Sequence, residues 1–192
     1  MDSTAAIILA AGASTRLGQP KQLVMLKGET LLARTVRIAQ EAGCSPILVI
    51  LGAESEHIRA ACPLPNAHIV VNEQWREGMA SSIREGIDAL RNFPREGRPA
   101  GAILMTCDQP AVTPNHLRVL AASGEITAST YAGRNGVPAY FPASCSAALA
   151  QLSGDAGARE LLRNARTVPL EYGELDIDTP ESLVAAQRLF AE

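Results

Sequence analysis

A chain of 192 residues, 47% apolar and 19% charged, is long enough to bury one compact core, and residues 1–192 are read as a single domain. Its net charge of −3 supplies no global basic field for nucleic acid or an anionic membrane, so any anionic ligand must be met by locally gathered cations. No apolar run approaches the roughly 18 residues of a membrane span, and the start, MDSTAAIILAAGAS, carries Asp2 but no early Lys or Arg, which argues against a secretory signal and for the cytoplasm.

Ala5–Ala10 is continuously apolar and reads as a buried strand. Thr30–Ala42 reads as a helix with Leu31, Leu32, Thr35, Val36 and Ala39 on one face and Gly43 as its stop. Ile47–Leu51 is a second strand, Ala53–Ala61 a short helix and Ile69–Val71 a third strand. Met79–Arg91 reads as a helix that turns Ile83, Ile87 and Leu90 inward, and Asn92–Pro99 as a surface loop. Gly101–Thr106 is a fourth buried strand, and Pro114–Ala122 a helix with proline in its first turn. Ile126–Tyr131 and Val137–Phe141 read as strands around a turn at Gly133–Gly136. Helical pieces are expected at Ala143–Leu152 and Ala156–Asn164, short strands at Val168–Leu170 and Leu175–Ile177, and a closing helix at Pro180–Phe190. This alternation implies a mainly parallel sheet covered on both faces, with ligands at the carboxyl ends of its strands.

The residues that follow the strands carry the chemistry. After the first strand comes Leu9-Ala10-Ala11-Gly12-Ala13-Ser14-Thr15-Arg16-Leu17-Gly18-Gln19-Pro20-Lys21. Small residues let backbone approach a ligand, successive N–H groups can cradle phosphate, and Arg16 and Lys21 add charge. The loop lacks both GxGxxG and GK[ST], which excludes the dinucleotide fingerprint and the P-loop. Gly78-Met79-Ala80-Ser81-Ser82 enters a helix, where free N–H groups favour anions or carbonyl oxygens, although serine is also a common helix cap. Asp108, in Thr106-Cys107-Asp108-Gln109-Pro110, ends a buried strand, where a carboxylate is costly unless paired or metal-bound. Asp176 and Asp178 would share a face of a strand, where they either hold a cation together or leave one, or Thr179, to cap the last helix. Cys44, Cys62, Cys107 and Cys145 and the three histidines are scattered, which argues against a zinc site or a disulfide framework.

LAAGASTRLGQPK resembles the signature L-A-(A/G)-G-x-S-x-R-(M/L)-G-x-x-K of the MobA-like nucleotidyltransferases, and GMASSIREGI, TCDQP and DIDTPE resemble three further motifs of its molybdenum cofactor cytidylyltransferase branch. The resemblance implies a three-layer α/β/α Rossmann-like nucleotidyltransferase fold. It implies that the backbone around Ala10, Ala11 and Gly12 contacts the base, that Arg16 and Lys21 contact the triphosphate, and that Leu9, Gly78, Ser81 and Ser82 contact the nucleotide. Ala11, in LAAG rather than LAGG, implies CTP. Asp108 would hold magnesium with Asp178 and Asp176, and Lys21, Asp108 and Arg16 would carry catalysis. GRNGVP and GDAGAR resemble acceptor-side segments, which implies Gly136, Pro138, Asp155 and Arg159 as acceptor-binding residues, with Val137 a departure where the family has a polar residue. The implied reaction moves CMP from CTP onto the phosphate of molybdopterin for a molybdenum hydroxylase of the xanthine dehydrogenase type. Val137 keeps another acceptor open, such as a sugar or polyol phosphate. A catalytically silent nucleotide-binding protein is the other alternative, against which Lys21 and Asp108 speak.

Overall fold

The computed structural model describes residues 3–94, 98–155 and 157–190. In chain order it forms β1 (Thr4–Ala10), a 3₁₀ turn at Lys21–Leu23, the short ribbon β2 (Met25–Leu26) and β3 (Glu29–Thr30), α1 (Leu31–Ala42), β4 (Ile47–Leu51), α2 (Ser55–Ala61), β5 (His68–Val71), a 3₁₀ turn at Trp75–Glu77 and α3 (Met79–Arg91). Then follow β6 (Gly101–Thr106), α4 (Pro114–Ala121), β7 (Thr127–Tyr131), β8 (Arg134–Pro142), a 3₁₀ turn at Ala143–Cys145, α5 (Ser146–Leu149), α6 (Arg159–Leu162), β9 (Arg166–Pro169) and α7 (Pro180–Leu189).

The main sheet has the order β5-β4-β1-β6-β8-β7-β9. β1 lies between β4 and β6 and is parallel to both, while β8 alone runs against its neighbours β6 and β7. The alternation of side chains along β1 explains the layers. Ala6, Ile8 and Ala10 enter one core with Leu32, Val36 and Ala39 of α1 and Leu117 and Leu120 of α4. Ala5, Ile7 and Leu9 enter the other with Ile83 and Ile87 of α3, Leu149 of α5 and Leu162 of α6. Both faces are covered, as the continuous apolar strands require. The fold is the mainly parallel, Rossmann-like α/β/α architecture implied by the sequence.

Helix ends follow local chemistry. Thr30 caps α1 by accepting from the Ala33 N–H at 3.2 Å, and Gly43 closes it in the left-handed conformation at φ 88°. Thr113 caps α4 through the His116 N–H at 3.2 Å.

Several expectations need correction. Leu175–Ile177 is not a strand. The segment is irregular, and Ile177 is buried in a small third core with Leu17, Val24, Leu26, Leu31 and Ala186. The turn before β8 is Ala132–Gly133, both at positive φ, rather than Gly133–Gly136. The helical reading of Ala143–Leu152 shrinks to the 3₁₀ turn and α5, and that of Ala156–Asn164 to α6, with Ala156 outside the described residues. The loop Asn92–Pro99 is described only at its ends. Among the described residues no helix is long and apolar enough to cross a membrane.

Candidate nucleotide site

The third core positions the site. Leu17 anchors the loop after β1, Val24 and Leu26 anchor its exit, and Ile177 anchors the segment before α7, all in one apolar cluster. The loop's shape is then fixed by polar contacts. The Ser14 hydroxyl accepts the Lys21 N–H at 3.0 Å. Buried Gln22 donates through Nε2 to the carbonyls of Ala10 at 2.6 Å and Gly12 at 3.3 Å, and its Oε1 has no partner among the described residues. A cavity of about 600 Å³ opens here, walled by Leu9–Ala13, Lys21, Trp75, Gly78, Ser82 and Asp108 among others.

Lys21 stands at the centre of the charge. Its ammonium donates to Asp108 Oδ2 at 2.7 Å and to Asp178 Oδ1, while Arg16 donates to Asp178 Oδ2 at 2.9 Å. Lys21 and Asp108 are mostly buried, with side chains 17% and 14% exposed, so water screens this pair weakly. Burial alone would lower the Lys21 pKa, but the carboxylates of Asp108 and then Asp178 outweigh it and hold it above the ordinary lysine value. Partial burial disfavours ionised Asp178, yet Lys21 and then Arg16 hold it below the usual carboxylate range. Asp176 moves the other way. Burial, reinforced by Asp108 and Asp178, pushes it up to about 6 against the pull of Lys21 and Arg134.

The question of what caps α7 is resolved. Thr179 is the cap, accepting the Ser182 N–H at 3.2 Å, and Ser182 Oγ accepts the N–H groups of Asp178 and Thr179, each at 3.0 Å. The Asp178 carboxylate is therefore left for Lys21 and Arg16. Because Leu175–Ile177 is irregular, the shared strand face expected for Asp176 and Asp178 does not exist. Instead the Ile177 N–H donates to the Asp108 carbonyl at 2.9 Å and pins this segment to the end of β6.

Among the described residues no three His, Cys, Asp or Glu side chains are gathered to hold a metal unaided. The donor set nonetheless suits magnesium, which commonly takes one or two protein carboxylates and completes its shell with phosphate and water oxygens. Asp108 and Asp178 already converge on a single cation, the Lys21 ammonium.

On the α3 side, Gly78 sits at φ 103°, and a Cβ there would collide with the Asp155 carboxylate and the Gly154 backbone. Gly154 also accepts the Ala80 N–H at 3.1 Å, so the 153–155 segment is docked on the start of α3. Asp155 thus lies against the segment expected to hold the nucleotide and lines the same cavity. Ser82 lines it as well. Ser81 departs from expectation: it is buried outside that wall, and its hydroxyl donates to the Gly78 carbonyl at 2.8 Å. Gly136, Pro138 and Arg159 are not in the wall either. Gly136 and Pro138 lie on β8, which is tied to the Asp108 region because Tyr131 donates to the Val137 carbonyl at 3.0 Å and accepts from Gln109 at 3.3 Å. Arg159 is exposed at the start of α6. Cys107, beside Asp108, is buried, and burial raises its thiol well above the ordinary value.

Sequence reasoning missed Gln22, Asn72, Trp75 and Arg76. Trp75 packs on Gly52, where a Cβ would lie 2.6 Å from the Trp75 Cβ and 2.8 Å from the Ala11 carbonyl, and this places an indole beside the glycine loop. The Arg76 guanidinium lies 4.4 Å from that ring's centroid. A depression of about 440 Å³ at the opposite end of the strands is lined by Ser3, Cys44, His68 and Phe93 among others, with no carboxylate, lysine or arginine among the described residues of its wall.

Fold and cavity together define the class as nucleotidyltransferase. The chain belongs to the MobA-like NTP transferase family, whose domain model matches residues 6–169. It is 34% identical over 169 residues to nicotine blue oxidoreductase of Paenarthrobacter nicotinovorans, covering 82% of this chain and 80% of that protein. It is 25% identical over 200 residues to the molybdenum cofactor cytidylyltransferase of Escherichia coli, covering 100% of both. Among solved structures it resembles Rv0371c of Mycobacterium tuberculosis, with a TM-score of 0.83, 33% identity and coverage of 98% of this chain and 100% of that one. A manganese complex of that protein matches with a TM-score of 0.79 and 30% identity, covering 97% and 98%.

Proposed function

We propose that this chain, as one domain, transfers CMP from CTP to the phosphate of a molybdopterin-type acceptor with magnesium, and releases pyrophosphate. The observation that carries this reading is the sharing of Lys21, which with Asp108 lines the cavity bounded by the glycine loop, between Asp108 and Asp178 behind it. An acceptor phosphate oxygen attacks the α-phosphorus, and the bond to the β-phosphate breaks. That oxygen is anionic near neutral pH, so the reaction needs position and charge neutralisation more than a base. Magnesium held by Asp108 and Asp178, with Asp176 beside them, supplies charge neutralisation for the phosphates. Lys21, released from its carboxylates, and Arg16 carry the triphosphate charge. The loop backbone from Leu9 to Gly12, with Gly78 and Ser82, holds the nucleotide. Gly136, Pro138 and Arg159 are assigned to the acceptor, with Asp155 at the junction between the two substrates.

The name of the Escherichia coli relative and Ala11 in the loop support CTP and the molybdenum cofactor. The oxygen-only donor set supports a hard divalent ion such as magnesium and suits manganese as well. Delivery of the product to a molybdenum hydroxylase of the xanthine dehydrogenase type is part of the same reading, and the free cysteines support a reducing cytoplasm. The test is pyrophosphate release from CTP and GTP with molybdopterin and with sugar or polyol phosphates. Faster release from GTP removes the nucleotide assignment, and release only with a sugar phosphate removes the acceptor. The oxidoreductase name of the Paenarthrobacter relative predicts turnover without any pyrophosphate.

Gly12 separates ligand constraints from fold constraints. Among the described residues no atom beyond the two adjoining residues lies within 4 Å of a Cβ placed there, and its backbone is not left-handed. Gly12→Ala is expected to melt within about 2 °C of the parent, yet to bind CTP about tenfold more weakly, a difference of about 1.4 kcal/mol. Unchanged affinity by calorimetry removes Gly12 from the contact surface.

A further inference from the structure

Asn72 follows β5 and is fully buried. Its N–H donates to the Leu51 carbonyl at 2.8 Å. Its side-chain Oδ1 accepts the Gln74 N–H at 2.9 Å, which fixes the amide orientation, since the reverse would set donor against donor. The two Nδ2 protons are then directed at two hydroxyls, Ser81 Oγ at 2.8 Å and Ser82 Oγ at 3.0 Å. Ser81 uses its own proton on the Gly78 carbonyl. Ser82 receives a hydrogen bond from Asn72 and keeps its proton, and among the described residues no acceptor takes it. Ser82 lines the cavity, whereas Ser81 does not.

We propose that Asn72 is a positioning residue that fixes the polarity of the Ser82 hydroxyl, so that this corner of the cavity presents a donor and takes an acceptor oxygen of the bound nucleotide. That oxygen is either a carbonyl of the base or a phosphoryl oxygen. A ligand amine or N–H at the same place finds one of the two hydroxyl lone pairs already taken by Asn72 and is disfavoured relative to an acceptor oxygen. The inference rests on the reading of the cavity as a nucleoside triphosphate site.

Asn72→Asp tests it, because the carboxylate keeps an acceptor for the Gln74 N–H and sets an acceptor, with a negative charge, where the donor was. The Ser82 proton must then turn inward. The dissociation constant of magnesium-CTP, read by calorimetry, is expected to rise about tenfold, and Ser82→Ala to have an effect of similar size. The double variant is expected to bind no more weakly than Asn72→Asp alone, because both changes remove the same proton from the ligand and both proteins carry the added charge. Asn72→Leu removes the donors without supplying an acceptor. It is expected to lower the melting temperature but to keep affinity within about threefold of the parent.

A purely structural role predicts that the leucine variant binds worst. That order overturns the proposal, as does a multiplied effect in the double variant or unchanged affinity in a folded Asn72→Asp protein. If the aspartate variant does not fold, the leucine variant decides alone: affinity within about threefold of the parent supports the proposal, and a loss as large as that of Ser82→Ala overturns it. Repeating the Ser82→Ala titration with magnesium tripolyphosphate separates the two sources: a matching loss assigns the oxygen to phosphate, and a loss seen only with CTP assigns it to the nucleoside. If the parent prefers GTP, only the nucleotide choice above fails and the variants are measured with GTP. If it binds no nucleoside triphosphate, both readings fall.

Discussion

Asp108→Asn is expected to turn over at least about 100-fold more slowly than the parent at saturating magnesium, the usual loss when a preorganised charge stabiliser is removed. Asn has nearly the same shape, and its carbonyl oxygen can still accept from the Lys21 ammonium, which now lies 2.7 Å from Asp108 Oδ2. The backbone carbonyl that receives the Ile177 N–H is untouched. The fold should therefore survive and a thermal melt should show it, so the loss is attributable to chemistry. The informative measurement is initial rate against magnesium concentration. A neutral amide is a weaker metal ligand than a carboxylate, so the curve should move to higher magnesium as well as drop. Parent-like rates at the same magnesium would leave Asp108 with no role beyond pairing Lys21.

Lys21→Ala should lower nucleotide affinity and rate together, the rate again by about 100-fold or more. It should also do something that loss of a generic positive charge would not. Removing the ammonium leaves the Asp108 and Asp178 carboxylates facing each other without their shared cation. A divalent ion added without nucleotide no longer competes with Lys21, so binding of free manganese, followed by electron paramagnetic resonance, should tighten. Manganese binding that weakens or stays constant would mean that the two carboxylates do not hold the metal. Leaving the partly buried carboxylate pair with only the exposed Arg16 to balance it should also cost about 1–2 kcal/mol of stability, a fall of roughly 2–8 °C in melting temperature.

What could be read in advance depended on how many residues carried each signal. β1, β4 and β6 were legible because a strand buried on both faces must be apolar along its buried length, as AAIILA, ILVIL and GAILM are. α3 was legible to the residue, Met79–Arg91. The β2–β3 ribbon was not, because two-residue strands around Lys27-Gly28 show no periodicity. Leu175 and Ile177 imitate strand alternation, but their burial serves the small core beneath the loop, not a sheet. In the site, the chemical types of Lys21, Asp108 and Asp178 were evident from their motifs. Their pairing across 87 and 157 positions was not, since spacing says nothing about which distant charges meet. Ser81 and Ser82 look equivalent in sequence. Asn72 makes them different, and a lone asparagine after a strand gives no warning of it.

The Lys21 and Arg16 pairings also bear on how the site responds to its medium. Neither cation waits with an unbalanced charge, and the chain as a whole is at −3, so little long-range field draws a triphosphate toward the cavity. Association should be limited by orientation rather than steered. Binding exchanges internal ion pairs for external ones, and added salt screens the exposed Arg16 pairing on both sides of that exchange. The affinity for the nucleotide should therefore fall with ionic strength less steeply than the number of cations in the site suggests, and the enzyme should tolerate salt that would strip a triphosphate from an open basic patch.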